Sequence, residues 1–205
     1  MSQVTAEKTM SVEEYLAFEA RSKFKHEYID GEIFLMAGVK RSHSIISQNI
    51  SRHIGNKLEN KPCEVHQGDI KVRVKETRFV YPDVIVACGD LRWDLNETVL
   101  LNPTVIFEVL SKSTEARDRG EKSQNYRQLE SLTDYLLVSQ KQMLVEHFIP
   151  QDDGSWKLIE YREPNDTIHF ASINCQLLLS DIYYNINLPQ LKLVEPKSKN
   201  GNKRG

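Results

Sequence analysis

Two carboxylates stand beside apolar runs, where carboxylates are uncommon. Glu108 interrupts the run "TVIFEVL", and Asp83 follows Pro82 in "FVYPDVIVAC". A carboxylate in a buried strand loses hydration and is rarely kept there without a partner. Hard divalent cations take oxygen ligands, and Mg²⁺ uses one or two carboxylates with waters and a substrate phosphate, so this pair could hold a metal. Taken singly, each residue has a simpler interpretation, with Asp83 capping a turn and Glu108 pairing with a lysine.

Further candidates for chemistry lie in more polar stretches. Glu27 precedes a predicted hairpin, and Asp69 opens a strand in "GDIKVRV". Lys122 and Tyr126 are four residues apart in a polar helix, so they share a face. His43 stands near the start of another helix, where it could contact phosphate. Each also has a structural interpretation, as an exposed glutamate, a turn aspartate, a solvated helix surface or a helix-start polar residue.

The elements that must position these residues begin with local signals. Ser11 and Glu14 form a capping box that predicts a helix from residue 12. Asp30 and Gly31 predict the turn of a hairpin within "EYIDGEIFLMAG". The spacing of Ile46, Ile50, Ile54 and Leu58 predicts an amphipathic helix.

The rest of the chain alternates between strands and helices. Strands are predicted for "GDIKVRVKE", "FVYPDVIVACG", "TVIFEVL" and "DYLLVSQ", with "MLVEHFI", "WKLIEYRE" and "TIHFA" forming a closing antiparallel sheet. A polar helix is predicted for "STEARDRGEKSQNYRQLESL", starting near Ser113 or Thr114, and a short final helix for "LLLSDIYYNI". This order predicts an α/β fold with a mixed central β-sheet flanked by helices.

Length and composition limit the number of domains and the class of protein. The 205 residues predict one domain over 10–189, a flexible lead over 1–9 and a disordered basic tail over 190–205. The net charge of -2 neither supports nor excludes a polyanionic partner. The odd number of scattered cysteines, Cys63, Cys88 and Cys175, predicts free thiols in a reducing compartment. Without a signal peptide or a spanning apolar run, we expect a cytoplasmic protein.

An ordered series of motifs carries a family resemblance. The stretches "EYIDGEI", "HS" at 43–44, "YPDVIV", "FEVLSKST", "DRGEKSQNY" and "DYLLVS" together resemble the Uma2 (DUF820) family. This family is a branch of the PD-(D/E)XK restriction-endonuclease-like nucleases and is abundant in cyanobacteria. The resemblance covers roughly residues 10–190 by motif order. P-loop, Rossmann and GxSxG hydrolase motifs do not occur.

The resemblance implies metal-assisted hydrolysis of phosphodiester bonds. Asp83 matches the aspartate of the Pro-Asp motif, and Glu108 matches the acidic residue of the D/E-x-K motif. These two, with the backbone carbonyl of Val109, would hold Mg²⁺ or Mn²⁺, and Glu27 resembles an assisting acidic residue. A bound metal lowers the pKa of an attacking water and stabilises charge on the phosphate.

One position departs from the superfamily pattern. The motif lysine would fall at position 110, where this chain has Leu110. Lys122 is the matching candidate in the following helix, with Lys112 as the runner-up. The resemblance marks His43, Asp69 and Tyr126 as accessory positions without an assigned role.

The expected partners are DNA, in a form that the sequence does not specify, and a second copy of the chain. A basic rim formed by Arg73, Lys75, Arg117 and Arg119 would suit DNA contact, although neighbouring acidic residues also fit a solvated face. Two rival functions remain open. One is a catalytically degenerate DNA-binding or protein-interaction module of the same fold, and the other is a metal-dependent hydrolase of small phosphate esters.

Overall fold

A computed structural model describes residues 9–36, 38–112 and 114–188. The predicted tail, and all of the predicted lead except Thr9, lie outside these ranges. The helices are α1 (Val12–Glu19), α2 (Arg41–Leu58), α3 (Glu115–Arg117), α4 (Ser123–Tyr126) and α5 (Leu179–Ile182). A π-helical turn over Asp118–Lys122 joins α3 to α4, and we call these three segments the composite helix. No helix in the described ranges is long and apolar enough to cross a membrane.

The strands form two six-stranded sheets and one hairpin. Sheet 1 has the order β2 (Glu32–Leu35), β1 (His26–Ile29), β5 (Arg78–Val80), β4 (Lys71–Lys75), β8 (Val99–Leu100), β7 (Trp93–Asp94). Sheet 2 has the order β12 (Trp156–Tyr161), β11 (Val145–Pro150), β10 (Asp134–Ser139), β9 (Val105–Leu110), β6 (Val84–Cys88), β3 (Cys63–Gln67). The hairpin pairs β13 (Thr167–Phe170) with β14 (Cys175–Leu178).

Sheet 2 is covered on both faces, which explains its continuous apolar strands. The isoleucines of α2 pack on one face of sheet 2, against Phe107 and the alternate residues of β9 that share its face. The opposite face carries Ile106 and Leu110, which pack against sheet 1 and Tyr126 of the composite helix. Strands buried on both faces read as unbroken apolar runs. The interior position of β9 therefore isolates Glu108 from solvent.

The predicted α/β class and its mixed sheet are confirmed, with parallel β9 and β10 at the centre of sheet 2. The capping box of α1, the hairpin turn between β1 and β2 and the amphipathic α2 are confirmed as well. Strands of the second half of the chain, β9 to β12, follow the predicted runs.

Three predictions about elements are wrong in detail. The run through Pro82 is not one strand, because it splits into β5 of sheet 1 and β6 of sheet 2. Proline has no N–H for a ladder, so the chain changes sheets there. The stretch "TIHFA" forms β13 in the separate hairpin rather than joining β11 and β12. The composite helix ends at Tyr126, earlier than predicted, and Ser113 lies outside the described residues.

The prediction of three free thiols is also wrong. Antiparallel pairing of β3 with β6 sets Cys63 opposite Cys88, and the two form a disulfide. Cys175 is a free thiol. The paired cysteines are 25 residues apart and share no motif, so only the strand register brings them together.

Candidate active site

Asp83 directly precedes β6, which pairs with β9 in sheet 2. Val84 is registered opposite Phe107, and extending that register by one residue sets Asp83 opposite Glu108. Asp83 Oδ2 accepts a hydrogen bond from the Val109 N–H at 2.7 Å. His43 Nε2, from the first turn of α2, lies 3.1 Å from the same oxygen. Asp83 is therefore fixed from two sides, while its side chain stays 18% exposed and faces a route to solvent.

Glu108 finds its partners on the composite helix. The residue is only 2% exposed and lies on the face of β9 that also presents Ile106 and Leu110. Its Oε1 accepts hydrogen bonds from the Tyr126 hydroxyl at 2.7 Å and from Lys122 Nζ at 3.0 Å. Burial raises the pKa of Tyr126, and the charge on Glu108 raises it further. Tyr126 therefore stays a phenol and acts as a donor.

Lys122 is the buried centre of the group. Its Nζ lies 2.8 Å from Glu27 Oε1, 3.0 Å from Glu108 Oε1 and 3.6 Å from Asp118 Oδ1. Asp118 and Lys122 are the first and last residues of the π-helical turn. Such turns are rare and are frequent at functional sites. We call Glu27, Asp83, Glu108, Asp118 and Lys122 the Lys122 cluster.

Glu27 is anchored by groups beyond Lys122. Arg117 Nη1 lies 3.0 Å from Glu27 Oε2, and the Arg117 guanidinium lies 4.1 Å from the ring centroid of Phe34. The Tyr81 N–H donates to Glu27 Oε1 at 3.4 Å. Because both oxygens of Glu27 have cationic partners, this residue holds Lys122 in place.

The charges in the cluster do not balance. Burial raises the pKa of Glu108, which Lys122 opposes and which Asp118, Asp83 and Glu27 reinforce. Burial also raises the pKa of Asp118. For Lys122, burial alone would lower the pKa, but Glu108, Glu27 and Asp118 outweigh it and hold the pKa well above its usual range. Lys122 is therefore a permanent cation within an excess of carboxylates.

Two of the predicted residues lie apart from the Lys122 cluster. Asp69 is exposed and pairs with Lys25. Lys112 is exposed on the turn after β9, whereas Lys122 makes the contact with Glu108. Geometry thus distinguishes the two lysine candidates, although their roles in catalysis stay predictions.

The four predicted DNA-contacting residues do not form one free basic rim. Arg117 contacts Glu27 inside the cluster. Arg73 lies 2.8 Å from Asp94, and Arg119 lies 2.6 Å from Glu146 of β11. Lys75 is exposed at the end of β4. DNA contact by these residues stays a prediction, since three of them already have carboxylate partners.

The donor set suits a hard divalent cation that keeps open coordination positions. In the described ranges, no three His, Cys, Asp or Glu side chains are arranged to hold a metal by themselves. Mg²⁺, however, needs only one or two carboxylates and completes its shell with waters and phosphate. The hydrogen bonds described above use Oδ2 of Asp83 and Oε1 of Glu108, and leave Oδ1 and Oε2 outside those contacts. The unbalanced negative charge also favours a cation, so the residues fit such a metal.

The chain belongs to the Uma2 family. The family model, described as "Putative restriction endonuclease", matches residues 12–179. The chain is 38% identical over 175 residues to the uncharacterized protein slr1290 of Synechocystis sp. (strain ATCC 27184 / PCC 6803 / Kazusa), covering 85% of this chain and 91% of that protein. It is 32% identical over 173 residues to sll1609 of the same strain, also uncharacterized, covering 83% and 98%.

A solved structure shares the fold. It is described as a putative nuclease belonging to DUF820, from Anabaena variabilis ATCC 29413. The TM-score is 0.70 at 16% sequence identity, covering 85% of this chain and 97% of that one. The predicted restriction-endonuclease-like core is therefore confirmed at the level of the fold.

Proposed function

We propose that this chain is an endonuclease that uses Mg²⁺ or Mn²⁺ to hydrolyse phosphodiester bonds of DNA. The observation that carries the proposal is the position of Lys122, whose buried ammonium bridges Glu27 and Glu108 beside Asp83. Two carboxylates next to a permanent cation are suited to phosphoryl chemistry, because charge develops on the phosphate as the bond breaks. Family membership and the description of the Anabaena protein support the same function.

In this proposal Asp83 and Glu108, with the backbone carbonyl of Val109, hold the metal. When bound, the metal supplies an activated water and positive charge beside the phosphate. His43 and the Val109 N–H fix the Asp83 carboxylate. Tyr126 fixes Glu108, and it donates only while it remains protonated. These contacts hold the ligands in place before substrate arrives, as a preorganised site requires.

Lys122 supplies charge to the transition state rather than acting as a base. Its raised pKa keeps the ammonium protonated, so it cannot accept a proton at neutral pH. Glu27 and Asp118 also contact the Lys122 ammonium and hold it in position. Arg117 in turn holds Glu27. Lys122 thus takes the role of the motif lysine that Leu110 cannot fill.

The test is metal-dependent cleavage of supercoiled plasmid and short single strands. We expect wild type to cut with Mg²⁺ or Mn²⁺, and Asp83→Asn and Lys122→Met each to lose at least about 100-fold of that rate. Matched controls are Glu160→Gln and Lys141→Met, because both residues are exposed and lie outside the Lys122 cluster. Circular dichroism and thermal unfolding check that each variant is folded.

One outcome favours the rival function. If wild type cuts no substrate and calorimetry detects no Mg²⁺ or Mn²⁺ binding, the fold serves as a degenerate binding module. The lack of a three-residue metal cluster in the described residues is the observation that keeps this rival in view. Turnover of a chromogenic phosphodiester without DNA cleavage would instead indicate a small-substrate hydrolase.

A homodimer belongs to the same proposal, with the dimer serving to cut both strands, whereas the disulfide removes the free-thiol argument for a cytoplasmic location, which stays a prediction. β2 is an edge strand of sheet 1, and its Leu35 side chain is exposed. Exposed apolar edge strands favour pairing with another chain. Light scattering measures the mass in solution. If β2 forms the dimer contact, Leu35→Lys yields monomers, while Leu158→Lys on β12, an edge strand of sheet 2, does not.

A further inference from the structure

An exposed aromatic side chain protrudes beside the candidate active site. Phe24 is 68% exposed, more than any other large apolar side chain in the described ranges. Its backbone is fixed, because Ser22 Oγ accepts from the Phe24 N–H at 3.0 Å and donates to the Phe24 carbonyl at 2.7 Å. Exposure of a large aromatic ring costs hydrophobic free energy, whereas an exposed ring on a fixed backbone is suited to stacking.

Lys25, which follows Phe24 in the sequence, and Lys71 converge on a single buried ring. Lys25 Nζ lies 5.8 Å and Lys71 Nζ 5.7 Å from the ring centroid of Tyr81. Lys25 lies in the loop before β1 and Lys71 is the first residue of β4, so two separate segments place an ammonium group over this ring. Basic residues are frequent in this stretch of the chain, with Arg21, Lys23 and Lys25 close together in sequence, while Lys25 pairs with Asp69 and the Tyr81 hydroxyl donates to Glu19. We call Phe24, Lys25, Lys71 and the underlying Tyr81 the Phe24 surface.

Tyr81 connects the Phe24 surface directly to the catalytic residues. It precedes Asp83 by two residues, and its N–H donates to Glu27. Its hydroxyl donates to Glu19 Oε1 at 2.8 Å, and Glu19 Oε2 lies 3.0 Å from His26 Nδ1, in the strand that carries Glu27. Tyr81 is therefore a common neighbour of the Phe24 surface and of Glu27 in the Lys122 cluster.

We infer that the Phe24 surface binds an unpaired nucleic-acid strand, with a base stacked on Phe24 and phosphates beside Lys25 and Lys71. This inference rests on the proposed function and specifies its substrate as single-stranded or locally opened nucleic acid. The faces of bases in a duplex are already stacked, so a protruding phenyl ring gains contact only with an unpaired base. Lysines beside it attract the backbone without reading sequence.

Binding is measured by fluorescence anisotropy in EDTA, so that cleavage does not contribute. The probes are a labelled oligothymidylate and a blunt duplex of the same length. We expect Phe24→Ala to weaken binding of the single strand by about tenfold or more and to leave duplex binding unchanged. Phe24→Trp should retain affinity, and its indole fluorescence should be quenched by the bound strand. Lys71→Gln should lower the salt slope for the single strand by about 0.7.

The matched control is Tyr184→Ala, because Tyr184 is an aromatic residue that is 57% exposed near α5. The inference is wrong if Phe24→Ala and Tyr184→Ala bind the single strand equally well, even when wild type cuts DNA with Mg²⁺. Conversely, Phe24-dependent binding in a protein that never cuts would keep the inference and reject the nuclease. The two failures are therefore distinguishable.

Discussion

Two polar groups centred on buried carboxylates lie against sheet 2 and differ in their balance of charge. The Lys122 cluster has four carboxylates and one lysine, of which Glu27, Glu108 and Asp118 contact Lys122 and Asp83 lies opposite Glu108. In the other group, Asp134 of β10 is the only carboxylate, and both of its oxygens have partners. His147 Nε2 lies 2.7 Å from Oδ1, while Thr133 Oγ1 and Ser172 Oγ donate to Oδ2 at 2.7 and 3.0 Å. We call these four residues the Asp134 group.

The carboxylates of the two sites also differ in their exposure. Asp134 is 4% exposed and its partner His147 is completely buried, with Phe170 and Tyr161 packed near the imidazole ring, although Ser172 at the rim of the group is exposed. The Asp83 side chain, in contrast, is 18% exposed. A buried carboxylate whose two oxygens are hydrogen-bonded fixes the packing of a core, whereas surplus charge beside a partly exposed carboxylate is suited to binding a cation. Burial of a carboxylate alone therefore does not indicate function.

The largest expected effect separates the two sites by activity. Glu108→Gln removes the charge of a proposed metal ligand, so we expect it to lower metal-dependent cleavage by at least about 100-fold. Asp134→Asn should cut like wild type when assayed well below its melting temperature. Plasmid cleavage at saturating Mg²⁺ provides the measurement. Equal loss of activity in both variants would mean that the two sites do not differ in the way proposed.

Stability should show the opposite order. Asp134→Ala leaves His147 buried without its carboxylate partner, and an unsatisfied buried polar group costs about 1–3 kcal/mol of unfolding free energy. Glu108→Gln should change that free energy by only about 1 kcal/mol, because the amide oxygen still accepts from Tyr126 and one of four repelling carboxylates is removed. Urea denaturation measures both. A larger loss for Glu108→Gln would show that its charge stabilises the fold.

A smaller effect is expected on thermal stability when Mg²⁺ binds. A cation that binds only the folded chain adds about 1.4 kcal/mol of stability at ten times its Kd. We expect Mg²⁺ to raise the melting temperature of wild type and Asp134→Asn, but not of Asp83→Asn or Glu108→Gln. NaCl at matched ionic strength controls for screening. An equal rise in all four proteins would indicate nonspecific binding of the ion.

Local patterns were sufficient to predict most elements and to single out Glu108 as a buried carboxylate. The isoleucines of α2 are four residues apart, and Ser11 and Glu14 cap α1, so each pattern is legible within one segment. The turn at Asp30 and Gly31 is equally local, since both residues have positive φ values of 48° and 104°. Glu108 was conspicuous because one charge within an apolar run stands out without any knowledge of the fold.

Features that depend on distant pairing were missed. The disulfide between Cys63 and Cys88 follows from the register of β3 with β6, which no local spacing encodes. Asp118 was missed for a different reason: it stands in a polar stretch without an apolar run to mark it as buried, although its place four residues before Lys122 puts both on one side of the helix. The Asp134 group was missed because its members come from three segments.

The smallest expected effect compares one hydroxyl in each site. Ser172→Ala and Tyr126→Phe each remove one of the donors to a buried carboxylate, and each should cost about 1 kcal/mol of unfolding free energy. Their effects on catalysis should differ. Tyr126 positions Glu108, so Tyr126→Phe should raise the Mg²⁺ concentration needed for half-maximal cleavage, whereas Ser172→Ala should leave it unchanged. A titration of cleavage rate against Mg²⁺ measures this. If the half-maximal concentration is the same in both variants, Tyr126 contributes to Glu108 only as packing, and the contrast between the two sites then depends on their charge alone.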